Sequence, residues 1–161
     1  MVTAVGGYLK HYKCKVTLWS DFVLDLFSRR NIGWCLDKHL RETLAGNALQ
    51  MALTRRKPTG LLMHHSDQGC QYTSAAYQAR LKQSALTVSM SRAGNCYDHA
   101  VAERFFSRLK SERTDQEIYH TRAQAKSAVI DYIEGFYTSQ RLHSTLGYRT
   151  PIDYEQAHGF S

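Results

Sequence analysis

Carboxylates are missing from the start of this chain: no Asp or Glu precedes Asp21. Over the 161 residues, 14 acidic side chains stand against 21 Lys and Arg, giving a formal net charge of +7 and a pI near 9.3. That shortage of negative charge favours a polyanionic partner, because each phosphate contact releases counterions, although many basic proteins have no such partner. Cysteine is scarce, at 14, 35, 70 and 96. No Cys-x-x-Cys pair and no His at zinc-finger spacing occur, which excludes a disulfide framework and a structural zinc site and leaves free thiols in a reducing cytoplasm. No apolar run approaches about eighteen residues, and no charged region leads into an apolar stretch and a cleavage site. Neither a membrane-spanning nor a secreted chain is therefore expected. Repeats, low-complexity tracts and linkers are absent too, so a chain of this length with 43% hydrophobic residues is expected to build one core.

What is present reads as an α/β pattern. Val16 to Leu24 and Asn31 to Leu36 are rich in β-branched and aromatic residues and read as two strands joined by the polar turn Asp25 to Arg30. A strand near Val2 to Leu9, weakened by Gly6-Gly7, would complete an antiparallel meander. From Glu42 to Arg56, Leu44, Ala48, Leu49, Ala52 and Leu53 recur at helical spacing until Lys57-Pro58-Thr59-Gly60 stops the run. Leu61-Leu62-Met63 then predicts a short buried strand leading into His64-His65-Ser66-Asp67, and helix followed by buried strand implies a crossover onto the sheet. Thr73 or Ser74 caps a helix to Ser84, and Leu86 to Met90 reads as a strand. A helix from about Asp98 to Glu112 carries Val101, Phe105 and Leu109 on one stripe, with Asp98 at its N-cap. Thr121 caps a last long helix with Ala125, Val129, Tyr132, Ile133 and Phe136 as its buried face. Residues 140–161 read as a polar, turn-rich tail.

Two carboxylates stand out. Asp67 falls at a strand end and Glu103 within a helix, and Glu103, Ser107 and Lys110 share a stripe at i, i+4 and i+7 beside the apolar one. Phosphodiester cleavage needs an activated water or hydroxyl in line with the leaving oxygen, together with neutralisation of the phosphate charge. Two Mg²⁺ ions about 4 Å apart supply both, held by a few carboxylates. Asp67 and Glu103 could converge as such ligands, and Lys110 would stand where a phosphate approaches. An ordinary solvated helix face would look the same if Glu103 to Lys110 stood alone. His64 and His65, adjacent on a strand, cannot both face one ion and read as packed or hydrogen-bonded histidines. Tyr72, Tyr97, Tyr137 and Tyr148 are candidates for base stacking or for plain packing. Arg104 and Arg108, one turn apart beside Glu103, are the better candidates for DNA backbone contacts. Arg29, Arg30, Arg55, Arg56, Lys57 and Arg113 read as solvated surface.

These segments resemble a known family, the catalytic-core transposases of bacterial insertion sequences in the retroviral-integrase superfamily. The resemblance is carried by Val23 to Arg30 with Gly33-Trp34, by His64-Ser66-Asp67-Gln68-Gly69 with Gln71-Tyr72-Thr73-Ser74, and by Ser89-Met90-Ser91. It continues through Gly94 to Asp98, Glu103 to Phe106, Arg141 to Ser144, Gly147-Tyr148 and Pro151, covering about residues 16–155. It implies a ribonuclease-H-like fold, a mixed five-stranded sheet with an antiparallel meander flanked by helices, in a single integrase-core domain over residues 1–161. It also implies an Asp-Asp-Glu triad holding Mg²⁺ or Mn²⁺, two ions in an intact site, with metal-dependent DNA cleavage and strand transfer. The implied partners are transposon ends, target DNA and further copies of the chain, in the bacterial cytoplasm and on the nucleoid when DNA-bound. Asp67 matches the second Asp, Glu103 the Glu, and Lys110 the basic residue that contacts DNA near the cut end.

The first triad Asp has no counterpart. Its segment is apolar-Asp-apolar-Thr-Tyr in the family and Val5-Gly6-Gly7-Tyr8-Leu9 here. Asp25 matches a structural position and Asp21 falls where the family has a small or apolar residue, which leaves open whether either replaces it. The family's upstream DNA-binding helices are likewise not matched, so the resemblance implies a core from a truncated or decayed reading frame. Two functional readings follow, an active core and a catalytically impaired DNA-binding or oligomerisation remnant. An unrelated basic α/β binding module would need the ordered motifs to be coincidence.

Overall fold

Alternation along one strand builds the two sides of this molecule. The computed structural model describes residues 2–10, 17–39, 41–58, 62–66, 68–90 and 96–160, with the backbone alone for Val2–Lys10, residue 42 and residues 96–99. Strand β2 (Thr17–Asp25) sends Leu18, Phe22 and Leu24 to one face and Val23 to the other. It pairs antiparallel with β1 (Val2–Lys10) and with β3 (Asn31–Asp37), and a bulge interrupts the second pairing between Val23 and Leu24. Strand β4 (Met63–Ser66) runs parallel to β1, and β5 (Thr87–Met90) parallel to β4, in the order β3-β2-β1-β4-β5. The predicted β1, β2 and β3 lie within a residue of their expected bounds. The strand expected at Leu61 to Met63 sits further on, at Met63–Ser66, and residues 59–61 lie outside the described residues.

Helix α1 (Glu42–Arg56) covers one face, where Ala45, Ala48, Leu49 and Ala52 meet Val23 and Ile32. The approach is so close that a Cβ on Gly33 of β3 would stand 2.2 Å from the Ala48 carbonyl oxygen, so only glycine admits the helix there. A short helix α2 (Cys70–Thr73), absent from the sequence-based expectation, and α3 (Ala75–Gln83) complete this layer with Tyr72, Tyr77 and Leu81. Ser74, rather than Thr73, caps α3 by accepting the Tyr77 backbone N–H.

The opposite face packs against α4 (Cys96–Leu109) and α5 (Arg122–Ile130), joining Phe105, Leu109, Val129 and Ile133 to Phe22 and Leu24. Helix α4 starts two residues before Asp98, which therefore lies in the first turn and not at the N-cap. Thr121 caps α5 as expected, in a full capping box with Gln124. Both helices run on as π-helical turns, Lys110–Thr114 and Asp131–Tyr137. Hydrogen bonds from i+5 to i, such as Thr138 N–H to the Ile133 carbonyl, put an extra residue in each turn. The α-helical stripe is thereby broken after Ile133: Phe136, expected inside, is 40% exposed, and Tyr137 takes the buried position.

Residues 140–161, read from sequence as a turn-rich tail, hold a 3₁₀ turn (Ser144–Leu146) and a helix α6 (Pro151–Ala157) capped by Thr150. Glu155 of α6 is buried and accepts from Arg30 at 2.7 Å and from Arg56, while Arg56 also reaches Asp25 at 3.1 Å. Burial raises the Glu155 pKa, but hydrogen bonds from Arg56, Ser28 and Arg30 outweigh it and hold the carboxyl below its usual value. Arg30 and Arg56 were expected on a solvated surface; they anchor α6 to the β2–β3 turn and the end of α1.

Candidate active site

Helix α4 presents two stripes of charge on different flanks. Glu103, Ser107 and Lys110 are all exposed and follow one another on one line of the helix. Arg104 and Arg108 are exposed too, but with Val101 and Phe105 they line a pocket on the other flank. The sequence placed both arginines beside Glu103. The helical geometry separates them from it, because a step of one residue turns the direction by about 100°. Arg108 also lies 3.7 Å from Glu112, a carboxylate held bidentately by Arg141 and hydrogen-bonded by the Tyr132 hydroxyl at 2.7 Å.

Asp67 lies outside the described residues, and the strand leading to it is described up to Ser66. Its two histidines are hydrogen-bonded to different elements, α3 and β5. The Tyr77 hydroxyl and His64 Nε2 are 3.1 Å apart, and His65 Nδ1 lies 3.3 Å from the Ser89 hydroxyl of β5. Both histidines are therefore buried hydrogen-bonding groups, as their adjacency on a strand implies. Burial, helped by the neighbouring His65, lowers the His64 pKa to about 4. Burial raises the Tyr77 pKa, and the charge of Asp21 adds to the rise.

Asp21 is 2% exposed, with the Tyr72 hydroxyl 3.1 and 3.0 Å from its two oxygens. Tyr72 belongs to the layer under α1, whereas the ring of the next residue, Phe22, meets Phe105 of α4 at 4.9 Å. Asp21 thus points to the face opposite α4. Asp25 accepts the Phe27 N–H and pairs with Arg56, a structural role at the turn. In register, Gly6 of β1 is opposite Asp21 and Val5 is opposite Phe22. Among the described residues no group of three or more His, Cys, Asp or Glu is placed to hold a metal ion.

Of the four tyrosines considered for stacking, Tyr72 and Tyr137 are core residues, Tyr97 has no described side chain, and Tyr148 is 73% exposed.

A strand leading to Asp67, a Glu–Lys stripe on the helix of the opposite layer and a sheet joining them invite comparison with known proteins. Residues 5–96 match the model of the integrase core domain family, and residues 84–151 match a second integrase core domain model. The chain belongs to the integrase core domain family. Among its relatives, the transposase for insertion sequence element IS904 of Lactococcus lactis subsp. lactis (strain IL1403) is 39% identical over 140 residues, covering 87% of this chain and 55% of that transposase. Transposase InsF for insertion sequence IS3A of Escherichia coli (strain K12) is 44% identical over 138 residues, covering 86% of this chain and 48% of InsF. The chain spans about half the length of these curated relatives. Among solved structures, the HTLV-2 integrase catalytic core domain in complex with magnesium (trimeric form) is similar at a TM-score of 0.68 and 12% identity, covering 95% of this chain and 93% of that one. The integrase-core chain described here accordingly has an α/β, ribonuclease-H-like architecture. No helix among its described residues is long and apolar enough to cross a membrane.

Proposed function

We propose that this chain is the catalytic core of an insertion-sequence transposase, acting on DNA by phosphodiester cleavage and strand transfer. The observation that carries the reading is the exposed Glu103–Ser107–Lys110 stripe on a helix packed against the sheet whose β4 strand leads to Asp67. Its relatives' descriptions as transposases agree with it. Asp67 and Glu103 are hard oxygen donors and suit one divalent ion, Mg²⁺ or Mn²⁺, completed by water and phosphate oxygens. When bound, that ion would supply Lewis-acid stabilisation of charge at phosphorus. A second ion needs the first carboxylate, and the β1 segment offers none. Lys110, two turns along the same stripe as Glu103, would hold the backbone phosphate next to the cut. DNA ends and target DNA would be the substrates, further copies of the chain the partners, and the bacterial cytoplasm and nucleoid the location. The whole of residues 1–161 would act as one integrase-core domain.

Calorimetric titration of Mn²⁺ into the chain and into its Glu103→Gln variant tests the metal site. Weak binding that falls further in the variant is expected. Equal affinity in the two proteins would remove Glu103 from the site, and a nicking and strand-transfer assay on candidate element ends tests the reaction itself.

A further inference from the structure

We propose that the pocket between α4 and the 141–148 segment receives an unpaired nucleotide of a DNA strand, on the flank of α4 away from Glu103. The inference rests on the reading of the chain as a DNA-acting core and names a subsite for that substrate. The pocket has a volume of about 440 Å³, within the roughly 300–1,000 Å³ typical of small-ligand sites and too small for a duplex. Arg29, Arg104, Arg108 and Arg141 line it, and no acidic residue does. Glu112 ties down Arg141 and, more loosely, Arg108, while the lining offers no carboxylate to Arg29 or Arg104. Like charges gathered in this way repel one another, and a bound anion relieves the repulsion. Guanidinium groups match a phosphate in both geometry and charge.

The second half of the ligand is read from Tyr148. Its ring is largely exposed and contributes little to the core. Yet its backbone is held at φ 56°, directly after Gly147 at 65°, a left-handed conformation that a bulky residue seldom adopts. The turn is fixed by the Tyr148 N–H donating to the His143 carbonyl at 2.9 Å and the His143 N–H donating to the Arg149 carbonyl at 3.1 Å. An aromatic face pinned in the open beside an arginine-lined pocket suits a base stacked on the ring with its phosphates among the guanidiniums. Interior paired bases have both faces covered by neighbours, and a terminal pair is too wide to bring its phosphates into the pocket while stacking on the ring, so an unpaired nucleotide is what suits both halves. The hydroxyls of Ser144 and Thr145 at the pocket wall can donate to the same phosphate.

The test is fluorescence anisotropy of the whole chain, in EDTA so that metal binding plays no part. The probes are a blunt duplex and the same duplex carrying a short single-stranded extension. The expected result is tighter binding of the extended duplex. Tyr148→Ala should lose at least about fivefold in affinity for that probe and little for the blunt one, while Tyr148→Phe retains the preference. Arg104→Gln should weaken the extended probe more than the blunt one and lower the salt dependence of its binding by about one ion. Loss from both probes alike in Tyr148→Ala, loss from neither, or a Tyr148→Phe variant as weak as the alanine one would overturn the subsite while leaving the transposase reading in place. A wild-type chain that binds neither probe would overturn both.

Discussion

The Tyr72 hydroxyl sits within hydrogen-bonding distance of both carboxylate oxygens of Asp21, at 3.1 and 3.0 Å, and so holds that carboxylate in the layer beneath α1. Glu103 belongs to the layer on the other side of the sheet. Asp21 consequently faces away from Glu103, the carboxylate of the proposed site. Asp21→Asn is expected to leave Mn²⁺ affinity unchanged and to lower unfolding free energy by about 1–2 kcal/mol, since an amide accepts the Tyr72 hydroxyl less strongly than a carboxylate. Loss of Mn²⁺ binding in a variant that remains folded would return Asp21 to the metal site.

The β1–β2 register makes a sharper prediction. Val5 is opposite Phe22, whose ring packs on α4, and Gly6 is opposite Asp21. Directly opposed residues share a face, so a carboxylate introduced at position 5 falls on the α4 side and one at position 6 on the other. On the proposed function, Val5→Asp is expected to raise DNA nicking by at least about a hundredfold, the worth of an added metal-binding carboxylate, and Gly6→Asp to leave it low. Equal activity of the two variants in a plasmid-nicking assay would falsify the face assignment.

Gly33 is the contact on which the α1 layer depends. A methyl group there would collide with the Ala48 carbonyl and with the Ala52 backbone nitrogen at 2.8 Å, and neither can move without shifting the helix. Gly33→Ala should cost about 1–3 kcal/mol in urea unfolding, the usual penalty for overpacking. A variant as stable as the parent would mean that α1 sits further from β3.

Acid should destabilise the fold through His64. Its pKa is near 4 in the folded chain, against an ordinary value of 6.5. The unfolded chain therefore binds more protons between those values, and stability is lost as pH falls from about 6.5 toward 4. His64→Gln keeps a polar group near Tyr77 without the titration, so its melting temperature should fall less steeply across that window. Parallel slopes for the two proteins would show that other groups govern the acid limb. His143, lowered to about 4 by burial and by Arg141 and Arg29, contributes in the same direction.

At still lower pH the Glu155 clasp should fail, because its carboxyl titrates below the ordinary range and its stabilisation, complete above the unfolded pKa, is lost as pH falls through the folded one. Glu155→Gln at neutral pH should destabilise by up to about 3 kcal/mol, tempered by the partial exposure of Arg30 and Arg56. A change of under about half a kcal/mol in chemical denaturation would show that α6 is held by packing alone.

Local patterns in the chain were enough to identify α1 from Glu42 to Arg56, the Thr121 cap and the strand character of β2. Each depends on neighbours within a few positions, whose spacing repeats with the helix or strand. Asp67 and Glu103 stand out in the chain in the same way, as residue types at fixed offsets, and their pairing belongs to the proposed function. Tertiary structure alone decided that Arg30 and Arg56 serve a glutamate 125 and 99 residues away, that Tyr72 is core while Tyr148 is bare, and that Asp21 looks away from α4. It also decided that the π turn after Ile130 buries Tyr137 in place of Phe136. Periodicity gives a side chain a face on its own element, but which element covers that face is set by how the chain crosses over and packs.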